Sequence, residues 1–314
     1  MRKLIKDVIK DKKIGSEDVY GWVTARRDLV THSFFTIKDR SGGLQVVVSS
    51  GNPLIESFRS VNIGDVVSVK GDAKEDKRAL GGVELLPSEL KVIASCHLPT
   101  PLPLDHLEHR VSPSLDKRLD SRYLDLRNDS VARIFKIKSE VLKYMRKSFE
   151  DHEFIEINTP KIIKEGAEGG TALFPVEYFN RDAFLAQSPQ FYKQMLMASG
   201  LERVYEIAPA FRAETHNTPR HLNEFTSVDA EMAFISSVED VMKLSEELVR
   251  DTAAGIRNYA EKTGLETEIG LPRLPFPRIT FDDAHSLLRD LKVPVEEDED
   301  IRSQGEEALG NHFK

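Results

Sequence analysis

The sequence predicts an α+β chain in two parts: a small five-stranded barrel, then a mixed sheet flanked by helices. Three observations carry this. Residues 18–95 hold short β-rich runs separated by turn residues. The segment Leu98-Pro99-Thr100-Pro101-Leu102-Pro103-Leu104 is a proline-rich break. From about residue 130 the apolar repeat changes from strand-like alternation to a helical stripe.

Residues 19–23, 34–39, 44–48 and 65–70 read as four strands, and 82–86 begins a fifth. Asp39-Arg40-Ser41-Gly42-Gly43 supplies a hairpin turn, its glycines free to take positive φ. Five short strands in about 80 residues predict a Greek-key barrel of the OB type, and spacing alone does not separate this from a small sandwich. The prolines after it favour an extended connector. The expected division is a barrel over 1–97, a hinge over 98–127 and a second domain over 128–314.

In the second domain Val131, Ile134, Phe135, Val141, Leu142, Met145 and Phe149 form one stripe, predicting an amphipathic helix over 130–151. A strand over 154–160 follows, stopped by Pro160. Further helices are expected at 189–199, 238–262 and 280–291, with strands at 203–211 and 225–235 flanking a loop. This segregated order favours α+β over alternating α/β.

Charged residues make up 31% of the chain and no apolar run approaches the ~18 residues of a membrane span, so a membrane role is excluded from the reading. The N-terminus is too often interrupted by charge for a secretory signal. The lone Cys96 can form no intrachain disulfide, and a cytoplasmic location is expected. The net charge of −8 does not settle whether nucleic acid binds, because a local basic surface suffices. The run 296–300 reads as a solvated acidic loop.

The most informative stretch is 204–225. A charged hairpin tip is its default reading, but Arg212 and Glu214 stand two apart on the predicted strand, so both should project from one face. A guanidinium is suited to gripping phosphate or carboxylate, and Phe225 offers a stacking surface for a purine. Ser188-Pro189-Gln190-Phe191-Tyr192-Lys193 reads as a helix start, with Ser188 as cap and Lys193 on the solvent face. His216 and His221 lack a third ligand nearby, so no metal site is expected in this chain. In the barrel, residue types alone make Phe34 core and Gln45 and Glu84 surface. Trp22 reads as packing.

In this order the residues resemble a known family. The 204–225 segment is similar to motif 2 of the class II aminoacyl-tRNA synthetases, and the 130–151 helix with its strand ending at Pro160 is similar to their motif 1. From the barrel through motif 2 the chain resembles the aspartyl-tRNA synthetases of archaeal type. The resemblance implies an anticodon-binding OB domain joined to an incomplete antiparallel class II sheet. It implies ATP-dependent activation of L-aspartate and transfer to the 3′ end of tRNA, within a homodimer. Arg212 would act catalytically, bridging the substrate α-carboxylate and the ATP α-phosphate. Glu214, Arg220, His221, Leu222 and Phe225 would complete the ATP site. Glu168 on a glycine-rich lid, Gln190, Lys193 and Asp229 would hold aspartate, Lys193 pairing its side-chain carboxylate. Phe34 would stack on the central anticodon base, Gln45 would read its edge, and Glu84 would contact the third base.

The family's motif 3, Gly-x-Gly-x-x-Arg, does not occur before Lys314, nor do the acidic residues that precede it. The resemblance therefore places the Mg²⁺ ligands and a second ATP-clamping arginine beyond Lys314, and the expectation is weak or no adenylate formation by this chain alone. The partners implied are aspartate, ATP and tRNA-Asp, with tRNA-Asn a second candidate. The alternatives are an asparaginyl-tRNA synthetase-like or asparagine-synthetase-like paralogue, against which Lys193 counts, and a non-catalytic tRNA-binding protein.

Overall fold

A computed structural model of the chain describes residues 2–12, 18–97, 100–102, 113–166, 173–215, 222–265, 269–295 and 300–313. The chain divides into two compact units, Met1–Lys136 and Ile137–Lys314.

In the first unit, β1 (Val19–Asp28), β2 (His32–Asp39), β3 (Gly42–Ser49), β4 (Val66–Glu75) and β5 (Val83–Ala94) close into a barrel in the order β1-β2-β3-β5-β4. The barrel rests on period-two alternation. Phe35 and Ile37 on β2 and Leu44, Val46 and Val48 on β3 are buried in the core, while Phe34, Thr36 and Gln45 face the other way. Two short helices complete the core. α1 (Ile5–Asp11), which the charged N-terminal sequence did not suggest, inserts Ile5 and Val8. α2 (Ile55–Arg59) stacks Phe58 on Phe35 with ring centroids 4.1 Å apart. β2 and β3 meet across Arg40-Ser41, as the hairpin signal requires. β4 and β5 are long and bent: their register shifts at Lys70/Gly71, where a Cβ on Gly71 would lie 1.9 Å from the Leu86 carbonyl oxygen.

The same unit holds α3 (Leu115–Asp120) and α4 (Arg122–Asp125). Buried Asp125 accepts from Arg118 Nε at 2.9 Å and from Arg122. Lys38 donates to the Arg127 carbonyl at 3.1 Å and to Asp129 at 2.6 Å, and the Arg127 guanidinium lies 5.2 Å from the Trp22 ring centroid. Trp22 is thus a platform for a cation and stays 39% exposed.

The boundary between units falls within α5 (Asp129–Asp151), the expected long helix. In the second unit β6 (Ile155–Glu156) runs parallel to β10 (Arg203–Phe211), which pairs antiparallel with β11 (Glu224–Met232) over nine residues. β7 (Ile162–Ile163), β8 (Pro175–Tyr178) and β9 (Arg181–Leu185) form a second sheet in the order β7-β9-β8. The helices are α6 (Gln190–Ala198), α7 (Val238–Thr263), α8 (Phe281–Asp290) and α9 (Ser303–His312). β6 is much shorter than the sequence suggested. Ile157 still donates to the Tyr205 carbonyl at 2.8 Å, but the Thr159 amide turns to the Glu206 carboxylate at 2.6 Å, which ends the ladder.

One face of the β10–β11 pair is apolar. Tyr205, Ile207, Val228, Ala230 and Met232 pack with Phe149 and Phe154, and the Phe149 and Tyr205 rings stack at 4.5 Å. α7 starts with a capping box at Ser237 and Asp240 and ends at Gly264 in the left-handed region, and its Leu244 and Leu248 cover this face.

Candidate active site and barrel face

Because β11 alternates, the residues between its apolar ones form the opposite face. Phe225, Ser227, Asp229 and Glu231 stand there, directly across from Ala210, Ala208, Glu206 and Val204 of β10. This face carries the polar groups. Lys193 reaches it from α6: its Nζ lies 3.6 Å from Asp229 Oδ1 and 3.5 Å from Glu231 Oε2, and donates to the Ala230 carbonyl at 3.3 Å. The Lys193 side chain is 12% exposed, so the solvent-facing reading from helix position alone is overturned. The sheet beneath α6 draws the ammonium in. Ser227 Oγ donates to the other oxygen of Asp229 at 2.5 Å and fixes that carboxylate. Gln190, half-buried, opens the helix, its amide 3.4 Å from Ser188 Oγ.

At the far end of the same face lie Arg212 and Phe225. The Arg212 guanidinium stands 5.7 Å from the Phe225 ring centroid. β10 ends at Phe211, so Arg212 and Glu214 are not a strand pair as expected but belong to the turn that leaves it. Backbone bonds hold them instead. Arg212 N donates to Asn223 O at 3.0 Å, and the Asn223 amide nitrogen, turned inward, donates to the carbonyls of Arg212 and Glu214 at 3.1 and 2.9 Å. Leu222 is 62% exposed. Glu168, Arg220 and His221 lie outside the described residues. A cavity of about 700 Å³ also opens beside α6, bounded by Phe191, Met195 and Glu165. Lys193 does not line it, and the Lys193, Asp229 and Glu231 cluster lies on the sheet face instead.

On the barrel, Phe34, Gln45 and Glu84 are close in register. Gln45 pairs with Thr36 on β2 and with Glu84 on β5, while Phe34 pairs with Val47. Residue type misplaces two of them. Phe34 is not core, since its neighbours Phe35 and Ile37 take that role, and it stands half-buried on the outer face. Glu84 is 6% exposed, paired with Lys74 at 3.2 Å.

A family model described as tRNA synthetases class II (D, K and N) matches residues 114–311, and one described as an OB-fold nucleic acid binding domain matches residues 18–93. The chain belongs to the class II tRNA synthetases (D, K and N). It is 48% identical over 300 residues to an aspartate–tRNA(Asp) ligase of Pyrococcus horikoshii, covering 94% of this chain and 68% of that one. It is 46% identical to an aspartate–tRNA(Asp/Asn) ligase of Methanopyrus kandleri, covering 94% and 69%. A crystal structure of asparaginyl-tRNA synthetase from Pyrococcus horikoshii with asparaginyl-adenylate superposes with a TM-score of 0.89 at 29% identity, covering all of this chain and 72% of that one.

Within this class II synthetase the sequence reading missed the groups that hold the site residues. Glu231 as the second partner of Lys193 could have been found from alternation, two residues beyond Asp229. Glu206, 3% exposed, accepts from Thr159 Oγ1 at 2.9 Å and Lys161 Nζ at 2.7 Å, contacts across some 45 residues that leave no local signal.

Proposed function

We propose that the chain acts as an aspartate–tRNA ligase, activating L-aspartate with ATP and passing the aspartyl group to the 3′ end of tRNA. Lys193 carries the reading: a largely buried ammonium on the same sheet face as Arg212 and Phe225. Asp229 and Glu231 already stand at 3.6 and 3.5 Å from this ammonium, so its pairing with the substrate's side-chain carboxylate is what the family resemblance implies. This favours the aspartyl reading over the asparaginyl one, as does the identity to aspartate–tRNA ligases, against 29% for the asparaginyl neighbour.

The chemistry follows from charge and position. The substrate α-carboxylate, already ionised at neutral pH, attacks the ATP α-phosphorus. A carboxylate O–P bond forms, the bond to the bridging oxygen breaks and pyrophosphate leaves. Arg212 spans the two reacting groups and offsets the charge that builds on the phosphoryl oxygens. Phe225 stacks on the adenine, Glu214 and Leu222 flank the nucleotide, and Gln190 and Asp229 orient the amino acid. Glu168, Arg220 and His221 keep the roles the family resemblance implies. The terminal ribose hydroxyl of tRNA then attacks the carbonyl of the mixed anhydride and AMP leaves. Mg²⁺ accompanies the triphosphate in this family. Among the described residues no three His, Cys, Asp or Glu side chains converge on a metal position.

The barrel presents the anticodon surface, Phe34 stacking on a base beside Gln45 and Glu84. tRNA-Asp is the acceptor and tRNA-Asn the second candidate. Exposed Ile134 and Phe135 on α5 support a homodimer through 130–160. Among the described residues no helix is long and apolar enough to cross a membrane, consistent with action in the cytoplasm. Charging of tRNA-Asp and tRNA-Asn transcripts with labelled aspartate tests the reading. Aspartyl transfer to tRNA-Asp at a reduced rate is expected, and tRNA bound without transfer or aspartate binding would support the non-catalytic alternative.

A further inference from the structure

Glu206 lies across from Asp229 on the site face of the sheet, yet its carboxylate turns to a different segment. One oxygen accepts from Thr159 N at 2.6 Å, and the other from Thr159 Oγ1 at 2.9 Å and Lys161 Nζ at 2.7 Å. Lys161 Nζ also donates to Thr159 Oγ1 at 3.0 Å, closing a small ring of bonds. The connection continues through the backbone. The Lys161 carbonyl accepts from Ala186 N at 3.0 Å, and the Ala186 carbonyl accepts from Phe211 N at 3.0 Å. The path therefore leaves β10 at Glu206, crosses the 159–161 segment, passes residue 186 and returns to β10 at Phe211. Arg212 follows its end directly, and the segment from 186 leads into α6 with Gln190 and Lys193.

We propose that Glu206 is a positioning residue for the amino-acid site, acting through Thr159 and Lys161 to fix the spacing between α6 and the sheet. The inference rests on the aspartate–tRNA ligase reading and concerns the same site. Two physical points favour it over a purely structural role. A carboxylate 3% exposed with one cation partner is weak support for stability, since a packed apolar residue would serve as well, whereas it does fix geometry. And the groups it sets are those for which a shift of about 1 Å costs on the order of 100-fold in rate.

Glu206→Gln keeps the shape and loses the charge. Lys161→Met removes the cation instead, a side chain a quarter exposed, and so tests the same circuit should Glu206→Gln fail to fold. In aspartate-dependent exchange of pyrophosphate into ATP, each variant should raise the aspartate KM about tenfold, equivalent to about 1.4 kcal/mol. The ATP KM should stay within about twofold, and the double variant should be no worse than the poorer single, because both break one circuit. Tyr205→Phe is the control. It removes the hydroxyl that donates to Glu156 at 3.0 Å on the opposite face, and should lower Tm without moving the aspartate KM. An unchanged aspartate KM in folded Glu206→Gln and Lys161→Met would overturn the inference and leave Glu206 a stabilising residue. Wild-type protein with neither aspartate-dependent exchange nor aspartate binding would instead overturn the activity reading, and this inference with it; where aspartate binds without exchange, its dissociation constant replaces the KM in the same comparison.

Discussion

Lys193 of α6 and Asp229 of β11 face each other at 3.6 Å across the helix–sheet contact, with Glu231 at 3.5 Å from the same ammonium. The pair joins the first turn of a helix to one register position of a strand, and in the proposed function it is where the substrate carboxylate sits. Replacing Lys193 by Leu should remove aspartate recognition and leave two carboxylates facing a third. The expected loss in kcat/KM for aspartate is at least 100-fold, on the order of 3 kcal/mol. Steady-state exchange kinetics check it.

Arg212 and Phe225 should divide their effects between rate and nucleotide binding. Arg212→Ala removes the cation at the reacting phosphoryl group and should cost roughly 100- to 1,000-fold in kcat. Phe225→Leu loses the aromatic face and should raise the ATP KM several-fold with the aspartate KM little changed. The two constants measured separately distinguish the roles.

The barrel should act independently of adenylate formation. Phe34→Ala should weaken tRNA by about 1–3 kcal/mol through lost base stacking, with tRNA-free pyrophosphate exchange unaltered. Filter binding at two salt concentrations, run beside the exchange assay, tests this.

His152 makes stability depend on pH. Its Nδ1 lies 2.7 Å from the Ser148 carbonyl and its Nε2 2.8 Å from Glu247. Both are acceptors, so the doubly protonated ring fits best. The Ser148 carbonyl first, then Glu247, raise its pKa against the opposing effect of burial. A raised folded-state pKa gives stabilisation that is full below the unfolded value of about 6.5 and lost as pH rises through the folded value. Glu247→Gln should therefore destabilise the fold more at pH 6 than at pH 9, by on the order of 1 kcal/mol, with a correspondingly larger drop in Tm. Melting curves at the two pH values decide it.

Gly255 sits within α7, where alanine would ordinarily favour the helix by about 1 kcal/mol. Here a Cβ would meet the Tyr144 ring at 2.2 Å, so the ring must move. Gly255→Ala should destabilise the fold by roughly 1–3 kcal/mol of overpacking and so lower Tm. A raised Tm would show that the ring adapts freely.

The barrel was legible because its signals are local: alternation in 34–39 and 44–48, and a glycine turn between them. The same alternation, followed strictly, puts Phe34 outside and Phe35 inside, whereas residue type alone put Phe34 in the core. Glu84 was misread because burial of a carboxylate depends on a cross-strand partner, Lys74, that only register supplies. α1 hid because only Ile5 and Val8 of its seven residues are buried, too few to show a period. In the second unit α5 to α8 and both long strands were readable, but α9 was not, nor that Arg212 and Glu214 lie beyond the end of β10. The turn at Arg212 is set by Asn223 from the far side of the loop, and Lys193 turns inward because of β11, some 36 residues later.

The most direct test is pyrophosphate exchange into ATP supported by aspartate or by asparagine, in wild type and Lys193→Leu. Exchange with aspartate alone, lost in the variant, is the expected result. Equal support by asparagine, or aspartate-dependent exchange that survives the loss of Lys193, would contradict the assignment of this sheet face as an aspartate site.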